Sequence, residues 1–155
     1  MRILMVCLGN ICRSPLAEGI LQDKALKSGY QWKVESAGTG NWHVGEPPHP
    51  LSIKVAALHG IDIGHQRARQ FVKEDFKRND FIYVMDSSNY STVKQISGSF
   101  WEDQKIELLM NELYPGENRN VPDPWFGNED GYHTVFTMLN SACENIIKKH
   151  SSKTL

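Results

Sequence analysis

A short segment near the start of the chain, residues 7–15 with the sequence CLGNICRSP, has the composition of an oxyanion-binding loop. Its glycine permits backbone angles that other residues resist, so several backbone N–H groups can point inward. A helix that begins after such a loop adds partial positive charge. Arg13 adds a planar guanidinium that can bind two phosphate oxygens at once. We expect these groups to hold a phosphate dianion and to stabilise a phosphoryl transition state.

Cys7 lies at the base of this segment and is the candidate nucleophile. A helix N-terminus and a nearby cation lower the pKa of a cysteine thiol from about 8.5 to ~3.5–7.5. We therefore expect an anionic sulfur at neutral pH, to which the Ser14 hydroxyl donates a hydrogen bond. The alternative is a core cysteine at a strand end, followed by an ordinary turn at Gly9 and Asn10. The conjunction of strand, glycine, arginine, serine and a helix started by proline favours the functional interpretation.

Asp123 is the candidate proton donor for a leaving oxygen. Pro122 and Pro124 flank it and restrict its backbone, which fixes the position of its carboxylate. It also lies in a long loop, where catalytic groups are common. The dipeptide Asp-Pro is equally typical of a simple turn, so local sequence alone leaves both interpretations open.

The elements that must position these residues alternate between strands and helices. Strands are predicted at residues 2–6, 32–37, 81–85 and 105–110. Helices are predicted with Ser14 as N-cap and Gly29 as stop, at residues 51–58, after Asp86, and along the apolar stripe from Val135 to Ile147. This alternation predicts an α/β fold with a parallel sheet, whose ligands gather at the carboxyl ends of the strands.

Two long loops, residues 38–50 and 114–131, carry aromatic side chains. Long loops in compact domains are more often functional than idle. We expect Trp42, Trp125 and Phe126 to wall a substrate cleft and to stack on an aromatic phosphate, with Leu8 and Ile11 at its mouth. The simpler alternative is that these rings pack their loops onto the core.

Composition limits the remaining possibilities. The 155 residues suit a single domain over positions 1–155, with a polar, frayed tail from Ser151. A net charge of −1 favours neither nucleic acid nor an anionic membrane, and the run at residues 3–8 is too short to span a bilayer. Three cysteines form no disulfide framework and suit a cytoplasmic, reducing location. The six histidines lack metal-ligand spacing, so we expect neither a metal nor another cofactor.

Five segments spread over nearly the whole chain give these patterns a more specific meaning. They are CLGNICRSP at 7–15, SAGT at 36–39, KEDF at 73–76, MDSSN at 85–89 and DPWFGN at 123–128. Together they resemble the low-molecular-weight protein tyrosine phosphatases. The resemblance implies a three-layer α/β sandwich with a four-stranded parallel sheet in the order 2-1-3-4. It also implies metal-free hydrolysis of phosphotyrosine, in proteins and in small aryl phosphates, and inhibition by phosphate-like oxyanions.

The resemblance also implies roles for individual residues. Cys7 would form a cysteinyl phosphate, and Asp123 would act first as general acid and then as general base. Ser36 and His65, together with Asn10, would brace the phosphate-binding loop by hydrogen bonds. Cys12 would form a reversible disulfide with an oxidised Cys7. The phosphate-binding residues would be Leu8, Gly9, Asn10, Ile11, Cys12, Arg13 and Ser14.

Two departures inside the family pattern bear on specificity. The family usually carries tyrosines where this chain has Trp125 and Phe126, so regulation by phosphorylation there is not expected. The arginine-phosphatase branch carries threonine at the position of Ile11, which favours tyrosine over arginine as the phosphorylated residue.

Three alternatives remain. An arsenate reductase on the same fold uses additional cysteines after the third strand, and residues 86–99 contain none. A non-catalytic phosphate-binding module would need Arg13 but neither Cys7 nor Asp123. A phosphoarginine phosphatase would share the nucleophile and differ in the cleft.

Overall fold

The protein is built on a four-stranded sheet, seen here in a computed structural model that describes residues 1–153. Strands β1 (Arg2–Cys7), β2 (Lys33–Gly38), β3 (Phe81–Val84) and β4 (Ile106–Leu108) are all parallel and lie in the order β2-β1-β3-β4. The predicted fold class and strand order are therefore confirmed. Because β1 is central, its carboxyl end, where Cys7 lies, is flanked by the ends of two neighbouring strands.

Helices cover both faces of the sheet. They are α1 (Arg13–Lys27), α2 (Pro50–Leu58), α3 (Lys73–Arg78), α4 (Ser87–Ser97) and α5 (Glu129–Lys153). Helix α3 was not predicted, since six residues are too few to show a helical period. Helix α5 continues through most of the tail that was predicted to fray from Ser151, and residues 154–155 of that tail lie outside the described chain.

Alternation along β1 divides the core in two. Ile3, Met5 and Cys7 face the cluster that contains residues of α1, α2 and α5. Leu4 and Val6 face the smaller cluster formed with residues of α3 and α4. A strand that is apolar on both faces is typical of a parallel sheet covered by helices on both sides. The pleat thereby directs the Cys7 side chain toward the face from which α1 begins.

The start of α1 differs from the prediction. The helix begins at Arg13 with Cys12 at the N-cap position and no side-chain cap, so the prediction of Ser14 as N-cap is wrong. The Ser14 hydroxyl lies inside the first turn, where it contacts Asn10 and Cys7 instead of capping the helix. The helix ends before Gly29, whose φ of 79° serves the predicted stop.

Two further observations concern the described residues as a whole. In residues 1–153, no helix is both long and apolar enough to cross a membrane. Over the same part of the chain, histidine, cysteine, aspartate and glutamate side chains form no group of three or more that could hold a metal ion.

Candidate active site

Cys7 lies at the base of a tight loop, and only 2% of the residue is exposed to solvent. Its Sγ lies 3.0 Å from Ser14 Oγ and accepts a hydrogen bond from the backbone N–H of Asn10 at 3.3 Å. Both contacts come from residues that the loop folds back over the strand end. Together they fix the position of the sulfur at the base of the loop.

Asn10 organises the loop with both ends of its side chain. Its φ of 59° is left-handed, a conformation that asparagine adopts more readily than most residues. Its Nδ2 donates to Ser14 Oγ at 2.8 Å and to Ser36 Oγ at 3.0 Å, while its Oδ1 accepts from the backbone N–H of Arg69 at 3.0 Å. One buried amide thus ties the loop to α1, to β2 and to the segment before α3.

The end of β2 packs directly against the loop. Gly38 pairs with Cys7 in the sheet, and a Cβ added at Gly38 would lie 2.7 Å from the Leu8 carbonyl oxygen. Thr39 and Gly40 donate backbone hydrogen bonds to the carbonyls of Cys7 and Leu8, each at 2.9 Å. Only glycine allows this approach without displacing backbone, so Gly38 belongs to the structure of the loop.

Arg13 is held in place by acceptors from distant parts of the chain. Its Nη1 donates to Asp86 Oδ2 at 2.7 Å and to the Val121 carbonyl at 3.0 Å. Its Nη2 lies 3.8 Å from Asp123 Oδ2. Burial alone would lower the pKa of the Arg13 guanidinium, but the Cys7 sulfur and the carboxylates of Asp86 and Asp123 raise it above its ordinary value. Its charge is therefore permanent and its orientation fixed.

Asp123 lies at the start of a short 3-10 turn, Pro124–Phe126. Its Oδ1 accepts from the backbone N–H of Trp125 at 3.1 Å, which leaves Oδ2 directed toward Arg13. The carboxylate is about one-third exposed. The flanking prolines and this turn hold the Asp123 carboxyl group beside the loop, although more than a hundred residues separate Asp123 from Cys7.

These groups surround a cavity of about 180 Å³. Its floor comes from the loop, including Cys7 and Arg13, and Asp123 lies on its side. Its walls are the rings of Trp42, His43, Trp125 and Phe126. The residues predicted for the cleft are thus brought together, and His43 joins them.

Residues 2–154 match the model of a family described as "Low molecular weight phosphotyrosine protein phosphatase". The chain belongs to this family. It is accordingly a hydrolase and a protein tyrosine phosphatase, and the resemblance found in the sequence is confirmed.

Individual members of the phosphatase family are similar to this chain along nearly their whole length. The low molecular weight phosphotyrosine protein phosphatase of Schizosaccharomyces pombe is 36% identical over 150 residues, which cover 95% of each chain. The crystal structure of YfkJ from Bacillus subtilis has a TM-score of 0.90 at 34% identity and covers 100% of this chain and 97% of its own. The structure of the YwlE arginine phosphatase, solved as a Cys-to-Ser variant with a phosphorylated active-site serine, has a TM-score of 0.87 at 25% identity and covers 96% and 95%.

The aromatic walls of this phosphatase are unusually open to solvent. Phe126 is 92% exposed, Trp42 68% and Trp125 43%. Trp125 contacts the rings of His43 and His49, with centroid separations of 5.6 and 5.4 Å. Exposed rings beside a cavity are available to a ligand rather than committed to the core.

Sequence analysis missed His43, although it follows Trp42 in a loop already marked as functional. Its Nδ1 lies 2.6 Å from Glu46 Oε2, and its ring packs against the loop, 3.2 Å from a Cβ built at Gly9. The role of Asp86 was also missed, because this residue was interpreted only as a helix start. Asp86 does cap α4 by accepting from the Asn89 N–H at 2.8 Å, but its second oxygen binds Arg13.

The two residues expected to brace the loop beside Asn10 behave differently. Ser36 receives the Asn10 bond and donates to Glu18 Oε1 at 2.7 Å. His65 is exposed and is not brought to the loop. The adjacent side chain of Gln66 turns inward instead, donating to the Pro15 carbonyl at 3.2 Å. The expected contribution of His65 to bracing therefore has no counterpart in this geometry.

Burial changes the protonation of two further groups near the loop. Burial raises the pKa of the Glu18 carboxyl to about 7, opposed by the hydrogen bond from Ser36. Burial likewise raises the pKa of the Cys12 thiol to about 12, opposed by its contact with the Tyr132 hydroxyl, which lies 3.6 Å away. Cys12 is therefore a neutral thiol in the same cavity as Cys7.

Proposed function

We propose that this enzyme hydrolyses phosphotyrosine by transferring the phosphoryl group to Cys7. The observation that carries the proposal is the convergence of the Cys7 sulfur, the Arg13 guanidinium and the Asp123 carboxyl group on one cavity. They would supply the nucleophile, the positive charge that stabilises the transition state and the proton donor that hydrolysis of a phosphate ester requires. Residues 1–155 would act as one phosphatase domain, without a metal or another cofactor.

In the first step the Cys7 thiolate attacks phosphorus, and the bond from phosphorus to the tyrosyl oxygen breaks. Asp123, protonated in this step, gives its proton to that oxygen, so tyrosine leaves neutral and the sulfur carries the phosphoryl group. Arg13 and the backbone N–H groups of residues 8–14 bind the three remaining oxygens. Asp86 and the Val121 carbonyl hold the guanidinium in place for this contact.

In the second step water attacks phosphorus and the sulfur–phosphorus bond breaks. The Asp123 carboxylate accepts a proton from the water, and inorganic phosphate leaves. The thiolate that returns is stabilised by Ser14 and by the Asn10 N–H, which lie 3.0 and 3.3 Å from the sulfur. The phosphorylated serine in the YwlE variant supports an intermediate of this kind, since it marks the corresponding nucleophile in a relative.

The cavity walls support phosphotyrosine as the substrate class. Trp42, Trp125 and Phe126 present aromatic surface to a phenyl ring, and Ile11 lines the same cavity. The isoleucine has no hydroxyl to satisfy the N–H groups of a phosphorylated guanidinium, and an unpaired donor is costly to bury. We therefore assign phosphotyrosine, in proteins, peptides and small aryl phosphates, rather than phosphoarginine. Free phosphate-like oxyanions would occupy the loop and inhibit.

The test compares Cys7→Ser with Cys143→Ser, a matched change at a buried cysteine in α5. We expect Cys7→Ser to reduce nitrophenyl phosphate turnover by at least about 1,000-fold and Cys143→Ser to leave it within about threefold. On peptides, we expect strong preference for phosphotyrosine over phosphoserine and phosphoarginine. Equal turnover by the wild type and Cys7→Ser contradicts the mechanism, and preference for phosphoarginine contradicts the substrate assignment. Chelators should not reduce activity.

We propose a protective role for Cys12. Peroxide would oxidise Cys7 to a sulfenic acid, releasing water, and the Cys12 thiol would then attack that sulfur to form a disulfide with loss of a second water. Its neutral thiol keeps Cys12 from reacting first. We expect dithiothreitol to restore activity in peroxide-treated wild type but not in Cys12→Ser, whose Cys7 oxidises further. Equal recovery contradicts this role. A reducing, cytoplasmic location, proposed here from three unpaired cysteines, would make the disulfide transient.

A further inference from the structure

A second groove, of about 440 Å³, lies directly beside the catalytic cavity. The two spaces share three lining residues, Ile11, His43 and Trp125. The Trp125 ring therefore forms part of a wall between the two spaces. Groups attached to a ligand in the catalytic cavity lie next to the groove. The proposed chemistry does not use this space.

The groove is formed before any ligand arrives. His49 donates its backbone N–H to the Ile11 carbonyl at 2.8 Å, which joins the groove to the phosphate-binding loop. Gly45 donates to Ala68, and Ala68 donates to the Glu46 carbonyl, at 2.8 and 2.9 Å. Pro47, Pro48 and Pro50 supply a wall with little conformational freedom. A rigid groove costs little ordering entropy when it binds a peptide side chain.

The polar side chains around the groove already have hydrogen-bond partners. Glu46 Oε2 lies 2.6 Å from His43 Nδ1, so this carboxylate oxygen is already occupied. Burial lowers the pKa of His49, which keeps its ring neutral, and its Nδ1 accepts from the Leu51 N–H at 3.0 Å. With prolines, Ile11, Ile53 and Trp125 making up much of the remaining wall, the lining suits an apolar group rather than a charged one.

We propose that this groove binds an apolar side chain of the substrate, one or two positions from the phosphotyrosine. This inference rests on the proposed function, because it places the phosphotyrosine in the neighbouring cavity. Consecutive Cα atoms are about 3.8 Å apart, and alternate residues of an extended peptide lie about 7 Å apart on one side. Two groups that contact opposite faces of the Trp125 ring are also separated by about 7 Å. A residue next to phosphotyrosine, or one beyond, therefore reaches the groove across Trp125.

The first experiment uses the wild-type enzyme and phosphotyrosyl peptides that carry leucine or glutamine at each of the four positions from −2 to +2. We expect one position at which leucine raises kcat/KM by about fivefold over glutamine, from partial burial of its side chain. Glutamate at that position should be no better than glutamine. Equal rates for leucine and glutamine at all four positions overturn the inference, as does a preference for glutamate.

The second experiment locates the effect with two variants in α2. Ile53 lines the groove, whereas Leu58, in the same helix, is 64% exposed and lies outside it. We expect Ile53→Gln to abolish the preference for leucine and Leu58→Gln to preserve it. Persistence of the preference in Ile53→Gln, or equal loss in both variants, overturns the inference. Urea unfolding of both variants confirms that each is folded.

Nitrophenyl phosphate separates this inference from the proposed function. It fills only the catalytic cavity, so we expect both variants to hydrolyse it at the wild-type rate. If wild-type enzyme hydrolyses nitrophenyl phosphate but shows no preference among the peptides, only the inference about the groove is overturned. Wild-type enzyme that hydrolyses neither substrate overturns the proposed function, and the inference with it.

Discussion

Asp86 joins two tasks in one carboxylate: its Oδ2 accepts from Arg13 Nη1 at 2.7 Å while its Oδ1 caps α4 through the Asn89 N–H. The cap fixes the rotamer of the side chain that orients the guanidinium. The position of Arg13 in the cavity is therefore set by the start of a helix that does not itself line the cavity.

Replacing Asp86 with asparagine separates these tasks. Asparagine caps helices as well as aspartate does, but its single oxygen cannot serve both Asn89 and Arg13. We expect Asp86→Asn to lower kcat/KM for aryl phosphates by about tenfold. We expect the free energy of unfolding to fall by about 3 kcal/mol, because a buried guanidinium loses its charged partner.

The matched control for Asp86→Asn is Asp130→Asn, an exposed change in the first turn of α5. It should cost about 0.5 kcal/mol in urea unfolding and leave kcat/KM unchanged. Equal effects of the two substitutions would remove the special role assigned to the Asp86–Arg13 pair.

Asp123→Asn tests proton transfer to the leaving oxygen. The asparagine oxygen can still accept from the Trp125 N–H, so the turn at Pro124–Phe126 should persist. We expect kcat/KM, which reports the step that releases the phenol, to fall by about 100-fold for phosphotyrosine, whose phenolate is a poor leaving group, and by about tenfold for nitrophenyl phosphate. Steady-state assays on both substrates give the comparison, and identical losses would mean that Asp123 does not act as the acid.

Gly38→Ala tests the close packing beneath the loop that follows Cys7. The new Cβ would meet the Leu8 carbonyl oxygen at 2.7 Å, which forces backbone to move. We expect a loss of about 1–3 kcal/mol in stability and about tenfold in kcat/KM. Gly64→Ala is the control, since its Cβ would meet only the Asp62 side chain, at 3.4 Å. A Gly38→Ala enzyme with unchanged kcat/KM would show that the loop tolerates this displacement.

The raised pKa of the Glu18 carboxyl predicts that the stability of the protein depends on pH. The pKa of its carboxyl is about 7 in the folded protein, against 4.5 ordinarily, so the folded state keeps a proton that the unfolded state releases between these values. Stability must therefore fall as pH rises from about 4.5 to 7. We expect Glu18→Gln to remove this fall and to be more stable than the wild type at pH 8, by at most about 3 kcal/mol.

Urea unfolding from pH 4.5 to 8 measures this effect of Glu18. The control is Glu144→Gln, whose carboxylate is about half exposed and should leave the slope unchanged. A wild-type slope that survives in Glu18→Gln would assign the dependence on pH to another group.

The sequence was sufficient to predict the parts of the fold that depend on periodicity. Buried strands, the apolar stripe of the last helix and the loop after β1 each have a local signature, and the strand order followed from the resemblance. Helix α3 has no such signature, because its six residues cover fewer than two turns. Its role in the core depends on Phe76 packing against residues of β3 and α4, which only the folded chain reveals.

Side-chain direction was harder to predict than residue type. His65 and Gln66 are adjacent polar residues in a loop, yet Gln66 turns inward and His65 faces solvent. Ser14 follows a cysteine and precedes proline as an N-cap does, but its hydroxyl is drawn to Asn10 and Cys7. Such choices depend on partners dozens of residues away, so no local pattern determines them.

The acceptors of Arg13 have a consequence for synthesis of the protein. Cys7 and Arg13 leave the ribosome early, whereas the Val121 carbonyl and the Asp123 carboxylate that hold the Arg13 guanidinium are made more than a hundred residues later. A nascent chain therefore carries Cys7 and Arg13 before the groups that orient the guanidinium have been made. We expect phosphatase activity to arise only after Asp123 has emerged and packed beside the loop.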